Sequence, residues 1–366
     1  MPSTMFTPFE IRGVSIPNRI AVSPMCQYSA VDSVPGDWHI AHLGQMAMGG
    51  AGLIFVEATG VEPDGRITQG CTGLYDAATE AAFAQIVGFM RTVGPAKIGI
   101  QLSHSGRKGS TVAPWEGGGL IEGQGGWQTE SASPVPYLDG WPEPREMDAA
   151  ALERVKAAFA EAARRADRAG FDLVEVHVAH GYLLHQFLSP ITNQRNDAYG
   201  GNAVNRMRYP LEVVEAVRAV FPEDKPLFVR LSATDWIDGA WDLEQSIMFC
   251  RELKAIGCDV VDVTSGGLDQ RQAIKVGPGY QVGFSERIRH EAEIATMAVG
   301  QITDPVQAET ILATGQADLV ALARGMLWDP RWAWRAALAL GEEITLPAPY
   351  ARCNPALQSK PFVTRS

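Results

Sequence analysis

The chain has 366 residues, 46% of them hydrophobic, with Lys+Arg 31 against Asp+Glu 42 and a formal net charge of -11. Such a length suits one large α/β barrel or two average domains, and with no basic run or basic helix face it argues against nucleic acid or an anionic membrane as partner. No window approaches the roughly 18 apolar residues of a membrane span, and five cysteines without CxxC spacing, 26, 71, 250, 258 and 353, argue against a disulfide framework. The opening MPSTMFTPFE has neither the basic nor the apolar region of a signal peptide, so a cytoplasmic protein is expected.

After a β-like lead-in, FEIRGVSIPNRI, residues 20–25 predict a first strand and 39–49 a helix; 53–57 (LIFVE) predict the second strand, followed by an Ala-rich helix at 76–92. The alternation continues with strand three at 97–102 and a helix at 149–169 capped by Asp148, then strand four at 172–178 and a helix at 203–220. Strand five is 226–231, with a helix at 242–256 ended by Gly257; strand six is 259–264, with a helix at 285–293. Strand seven at 296–299, a helix at 305–314, strand eight at 318–323 and a Trp-rich helix from Pro330 complete the pattern. Eight βα units with continuous apolar strands predict a single (β/α)8 TIM barrel over residues 1–345, with an irregular tail at 346–366. The excess length sits in loops after strands three and six, 104–147 and 265–284, and both therefore belong to the catalytic face.

In such a barrel the polar residues at the strand ends converge on one mouth. They include Cys26 and Tyr28, Glu57 to Thr59, Gln101 and His104, Arg230, Ser265 to Gly267, Gly300, Ala323 and Arg324, and a concentrated set after strand four, His177, His180 and Tyr182. A metal site is disfavoured, because the H-x-x-H pair begins on a strand and has no acidic ligand nearby. Two neutral imidazoles and a tyrosine make better sense as donors to a carbonyl oxygen with a proton source beside it. Arg230, ending a buried strand, needs an anionic partner. Arg324 stands where barrels commonly bind phosphate, after strand eight and near Gly300, unless it merely pairs with Asp329 or another acid. A non-redox phosphate-binding lyase or isomerase is the alternative, although it would want a Lys or carboxylate base at a strand end.

SPMCQY (23–28), VEATGV (56–61), IQLSHSGRK (100–108), VHVAHGYLLHQFLSPITNQRNDAYGG (176–201) and ALARGMLWDP (321–330), in this order, resemble the old yellow enzyme family of FMN-containing ene-reductases, and SPMCQY and PGYQVGFSERIR (278–289) its bacterial thermophilic-like branch. The resemblance runs from about residue 6 to 352 and implies FMN bound non-covalently at the mouth. Ser23, Pro24, Met25 and Cys26 would lie along the isoalloxazine, Ala58 and Gln101 at its edge, Arg230 near N1 and O2, and Gly300, Ala323 and Arg324 at the phosphate. The family commonly has Gly at the Ala323 position. The resemblance further implies NADPH as reductant and hydride transfer from flavin N5 to an activated alkene or nitro compound in a ping-pong cycle. His177 and His180 would bind the substrate oxygen, Tyr182 would donate the proton, Tyr28 would close over substrate, and Cys26 would tune the flavin. Arg352 in PAPYARC matches a residue that enters a neighbouring subunit's site, so a homodimer or homotetramer is expected. Larger relatives with an iron–sulfur cluster need a cysteine group after the barrel, and here only Cys353 stands there.

Overall fold

The computed structural model describes residues 3–353. Eight parallel strands, β1 (Ile20–Val22), β2 (Leu53–Gly60), β3 (Lys97–Ser103), β4 (Leu173–Val178), β5 (Leu227–Ser232), β6 (Val260–Thr264), β7 (Ala295–Val299) and β8 (Leu319–Leu322), close into a barrel in sequence order, β8 pairing with β1. The helices are α1 (Asp37–Met48), α2 (Ala77–Val93), α3 (Ala149–Arg168), α4 (Leu183–Leu188), α5 (Ala203–Arg218), α6 (Leu243–Ala255), α7 (Val282–Glu291), α8 (Pro305–Ala313), α9 (Arg324–Trp328) and α10 (Trp332–Leu340). Asp76, Asp148, Asn202, Asp242 and Asp304 each accept the N–H three residues on and so cap α2, α3, α5, α6 and α8, contributing about 1 kcal/mol apiece.

Strands buried on both faces produce two apolar layers. One lies between barrel and helices and includes Val56, Phe83, Ile100, Phe159, Val176 and Val229. The other fills the barrel interior with Phe55, Leu173, Phe228, Val260, Met297 and Leu319. An antiparallel hairpin, Phe9–Ile11 with Val14–Ile16, adds Val14 and Ile16 to that inner cluster and closes the barrel at the N-terminal ends of the strands. Small-molecule chemistry is thereby confined to the opposite mouth.

Three details differ from expectation. The first strand ends at Val22, which leaves Ser23 to Cys26 in an irregular segment whose start is tied down by the Ser23 N–H donating to the Leu322 carbonyl. The second runs on to Gly60 through a register shift at Glu57, so Ala58 is a strand residue paired with Gln101. The short helices α4 and α9 lie where loop was expected; every residue of α4 is buried, so it carries no amphipathic period to read. Past α10 the chain turns back, Tyr350 standing edge-on to Trp334 with Arg331 over its ring; the rest of the expected tail, 354–366, lies outside the described residues.

Candidate active site

The register of the strands carries the site. Reading around the upper barrel, Ala58 stands opposite Gln101, Gln101 opposite Glu175, His177 opposite Arg230, and Arg230 opposite Asp262. Above the apolar interior is therefore a polar tier. Gln101 Nε2 donates to Glu175 Oε1 at 2.7 Å, and Arg230 Nε lies 3.1 Å from Asp262 Oδ2. The anionic partner that the buried Arg230 requires is thus supplied by the protein, in Asp262. Desolvation, with Asp262 adding to it, pushes Glu175 well up, and desolvation raises Asp262 while Arg230 opposes the rise.

At the end of β4 the His177 and His180 rings meet edge-on with centroids 5.3 Å apart, and Tyr182 stands 5.1 Å from His177. His180 Nε2 is 3.0 Å from Thr264 Oγ1 on β6, while His177 Nδ1 is buried with no hydrogen-bond partner. Desolvation and then Arg230 hold both imidazoles well below the ordinary histidine value. Desolvation, with Cys26 and Tyr28 adding to it, pushes the Tyr182 phenol up. The cluster is therefore neutral at physiological pH, a set of hydrogen-bond donors with a proton held on the tyrosine.

Below the irregular segment after β1, Glu57 accepts the Gln27 N–H at 2.9 Å and lies 3.2 Å from His39 Nε2 of α1. His39 Nδ1 takes the Gly36 N–H, which leaves the proton on Nε2. This staple explains why Cys26 and Tyr28 hold one place although no strand carries them. Tyr28 has φ 49 and its ring stands edge-on to Trp115 of the loop after β3, centroids 5.8 Å apart. Desolvation, then Cys71 and Glu57, raise the half-buried Cys26 thiol well above its ordinary value, the reverse of an activated nucleophile.

On the far side a cavity of about 620 Å³ runs from Arg230 past Thr264 and Tyr280 to Gly300, Ala323 and Arg324. Gly300 has φ 125, and a Cβ there would come 2.8 Å from Gln281 Nε2. Ala323 has φ -101, outside the left-handed region that favours glycine. Asp329 is occupied by Arg335 and by the Arg331 N–H, so the simple pairing of Arg324 with Asp329 is overturned.

The roof is the loop after β3. Glu62, His104 and Glu130 bring three ligand-type atoms within 4.8 Å of one another, yet Arg154 of α3 pairs with both glutamates and Arg145 with Glu130. Burial alone would raise Glu62, but His104 and Arg154 hold it near 2. Two arginines in the cluster make it an ion-pair staple that fastens the loop to α3. Arg107 donates to the carbonyls of Val135, Pro136 and Leu268, and so ties this loop to the one after β6.

Sequence reading placed Glu57 at the mouth without its pairing to His39, and missed Glu175, Asp262 and Lys108. A charged residue inside an otherwise apolar strand marked Glu175 and Asp262, because a charge is buried there only when paired. Nothing local marked Lys108. Arg352, expected at a neighbouring subunit, is exposed at the end of the described tail.

A family profile described as NADH:flavin oxidoreductase / NADH oxidase matches residues 4–343. An NADPH dehydrogenase of Geobacillus thermodenitrificans is 43% identical over 358 residues, covering 96% of this chain and 99% of that one. Among solved structures, morphinone reductase superposes with TM-score 0.77 at 30% identity, over 95% of this chain and 92% of that one. A 2-naphthoyl-CoA reductase reaches TM-score 0.82 at 23% identity, over 93% of this chain and 52% of that one, a likeness of fold alone.

Proposed function

The chain belongs to the NADH:flavin oxidoreductase / NADH oxidase family, the old yellow enzymes, and on that premise we propose that it reduces the activated C=C bond of α,β-unsaturated carbonyl or nitro compounds. It is an oxidoreductase that uses FMN and NADPH. The non-redox lyase or isomerase is set aside with the family. The observation that carries the substrate class is the desolvated, neutral His177–His180–Tyr182 cluster beside the Arg230 cavity.

The residues present fit FMN. Ser23 Oγ and His177 Nδ1 are buried polar atoms without partners, and the cavity ends in a cradle at Gly300, Ala323 and Arg324 where a permanent cation meets open space. In this reading Ser23, Pro24, Met25 and Cys26, with Ala58 and Gln101, would hold the ring without a covalent bond, Arg230 would serve its N1–O2 edge, and Gly300, Ala323 and Arg324 would hold the phosphate. When bound, FMN supplies hydride transfer through N5, from NADPH and then to the alkene, in a ping-pong cycle. His177 and His180 donate hydrogen bonds to the substrate oxygen and favour the charge that develops there in the transition state. Tyr182 holds a proton for the α-carbon. Tyr28 covers the substrate, and Cys26 acts as a neutral thiol against the flavin. A cytoplasmic homodimer or homotetramer, in which Arg352 reaches the neighbouring site, completes the proposal; a monomer in light scattering removes that last part.

The test is the visible spectrum of the purified protein before and after anaerobic NADPH, and again after 2-cyclohexenone. A flavin band that bleaches and then returns is expected. A band that bleaches but does not return with enones or nitroalkenes overturns the substrate class.

A further inference from the structure

The turn that carries His180 and Tyr182 lies in the left-handed region at two successive residues, His180 with φ 57 and Gly181 with φ 71. A non-glycine residue keeps that conformation only where its surroundings impose it. Here side chains hold all four backbone polar atoms of the turn. The His180 N–H donates to Ser232 Oγ at 3.0 Å, and the Gly181 N–H to His185 Nδ1 at 2.9 Å. Lys108 Nζ donates to the His180 carbonyl at 2.9 Å, and Gln186 Nε2 to the Gly181 carbonyl at 2.7 Å. Ser232, His185 and Gln186 are buried, and Lys108 is the one lysine or arginine among the four.

Lys108 also donates to the Gly267 carbonyl at 2.9 Å, at the point where the loops after β4 and β6 touch. The approach there is so close that a Cβ on Gly181 would fall 2.5 Å from the Gly267 oxygen, and one on Gly267 2.6 Å from the His180 Cα. Its ammonium lies 5.0 Å from the centre of the Tyr182 ring and 4.8 Å from that of Tyr137.

We propose that Lys108 is a positioning residue for proton donation: it pins the His180–Gly181 turn to the loop after β6 and sets a positive charge beside Tyr182 that favours release of the phenolic proton. The proposal rests on Tyr182 as proton donor. The surroundings make this charge conditional. Desolvation and then Arg107 pull Lys108 down to about 7. The other titratable groups facing it are His177 and His180, which are neutral, and Tyr182 and Tyr137, which keep their protons. No carboxylate stands among the causes of its shift, so only the two carbonyls and the two ring faces favour the charged form. Below 7 the ammonium is present and assists Tyr182; above 7 the amine keeps donors for the two carbonyls but loses the charge.

The experiment follows the oxidative half-reaction of the holoenzyme with 2-cyclohexenone across pH, together with flavin reduction by NADPH, in wild type, K108M, K108R and Y182F. The wild-type rate constant should fall about tenfold through a midpoint near 7, the effect of one neighbouring charge moving the tyrosine by about one pKa unit. K108M should lose that step and stay at or below the alkaline rate with NADPH reduction changed less than about twofold. K108R, charged throughout, should also lose the step but keep a rate closer to the acid one. A midpoint that survives in K108M, or an equal loss in both half-reactions, overturns the proposal. Y182F that leaves the oxidative half-reaction untouched would instead overturn the proton-donor role itself. Independently of turnover, 15Nζ NMR of lysine-labelled protein should show one resonance, missing from K108R, titrating near 7; a midpoint above about 9, close to an ordinary lysine, overturns the proposal.

Discussion

Arg230 and Asp262 are register partners on the neighbouring strands β5 and β6, Nε 3.1 Å from Oδ2, while Glu175, two residues before the His177 that pairs with Arg230, is held by Gln101. One cation thus acts on two buried carboxyls and touches one of them, Asp262. Desolvation raises both, but Asp262 has the guanidinium in direct contact to oppose the rise, whereas Glu175 is pushed well up by desolvation and then by Asp262, so the proton is favoured on Glu175 and the charge on Asp262.

That division predicts unequal substitutions. Glu175→Gln replaces a neutral group by a near-isostere and should change apoprotein stability by less than about 1 kcal/mol, whereas Asp262→Asn leaves Arg230 short of its counter-charge and should cost on the order of 3 kcal/mol. Chemical denaturation of the apoproteins decides it, and equal losses contradict the assignment. The folded protein holds the Glu175 proton while the unfolded chain releases it above about 4.3, so this group makes stability fall as pH rises through that region. Glu175→Gln should flatten that part of the profile.

Tyr182→Phe removes the proton but keeps the ring against His177. The oxidative half-reaction should slow by roughly 10²-fold or more, the usual scale of general-acid catalysis, with flavin reduction by NADPH nearly unchanged. Stopped-flow traces of both half-reactions measure this, and equal slowing removes the role.

Arg324→Ala should weaken FMN binding by roughly 10- to 100-fold, the worth of a charge-assisted hydrogen bond to phosphate, and leave riboflavin binding unchanged. Fluorescence titration of the apoprotein with the two flavins separates a phosphate contact from a general loss of the pocket. A parallel loss for both ligands would point to the pocket.

Cys26 keeps its proton under the combined effect of burial, Cys71 and Glu57, whereas Cys353 is exposed at the surface. Iodoacetamide at mildly alkaline pH should therefore label Cys353 and spare Cys26, since the thiolate is the reactive species. Peptide mapping reads the two sites, and prompt labelling of Cys26 would refute the neutral thiol.

Much of this was legible without coordinates. Runs such as LVEVHV and LFVRL, unbroken by alternation, imply strands buried on both faces, and their regular spacing with Ala-rich helices implies closure into a barrel. The start of α3 was legible through Asp148, whose side chain bonds the backbone locally, and Asp76 and Asp242, taken as the first residues of their helices, cap α2 and α6 in the same way. The polar residues after strand four announced chemistry because three of them arrive within six positions.

Contacts between distant segments were not legible. Lys108 meets His180 and Gly267 across separations of 72 and 159 residues, and nothing in GRKGS announces it. Glu175 and Asp262 each sit in their own apolar run, and only the stagger of adjacent strands brings one beside Gln101 and the other beside Arg230. The sequence by itself determined the elements, the side of the barrel that does chemistry and most of the residue types there, since periodicity and capping act over a few residues. Only the tertiary structure decided which charges neutralise one another, because barrel closure sets the register, and burial then fixes which groups keep their protons.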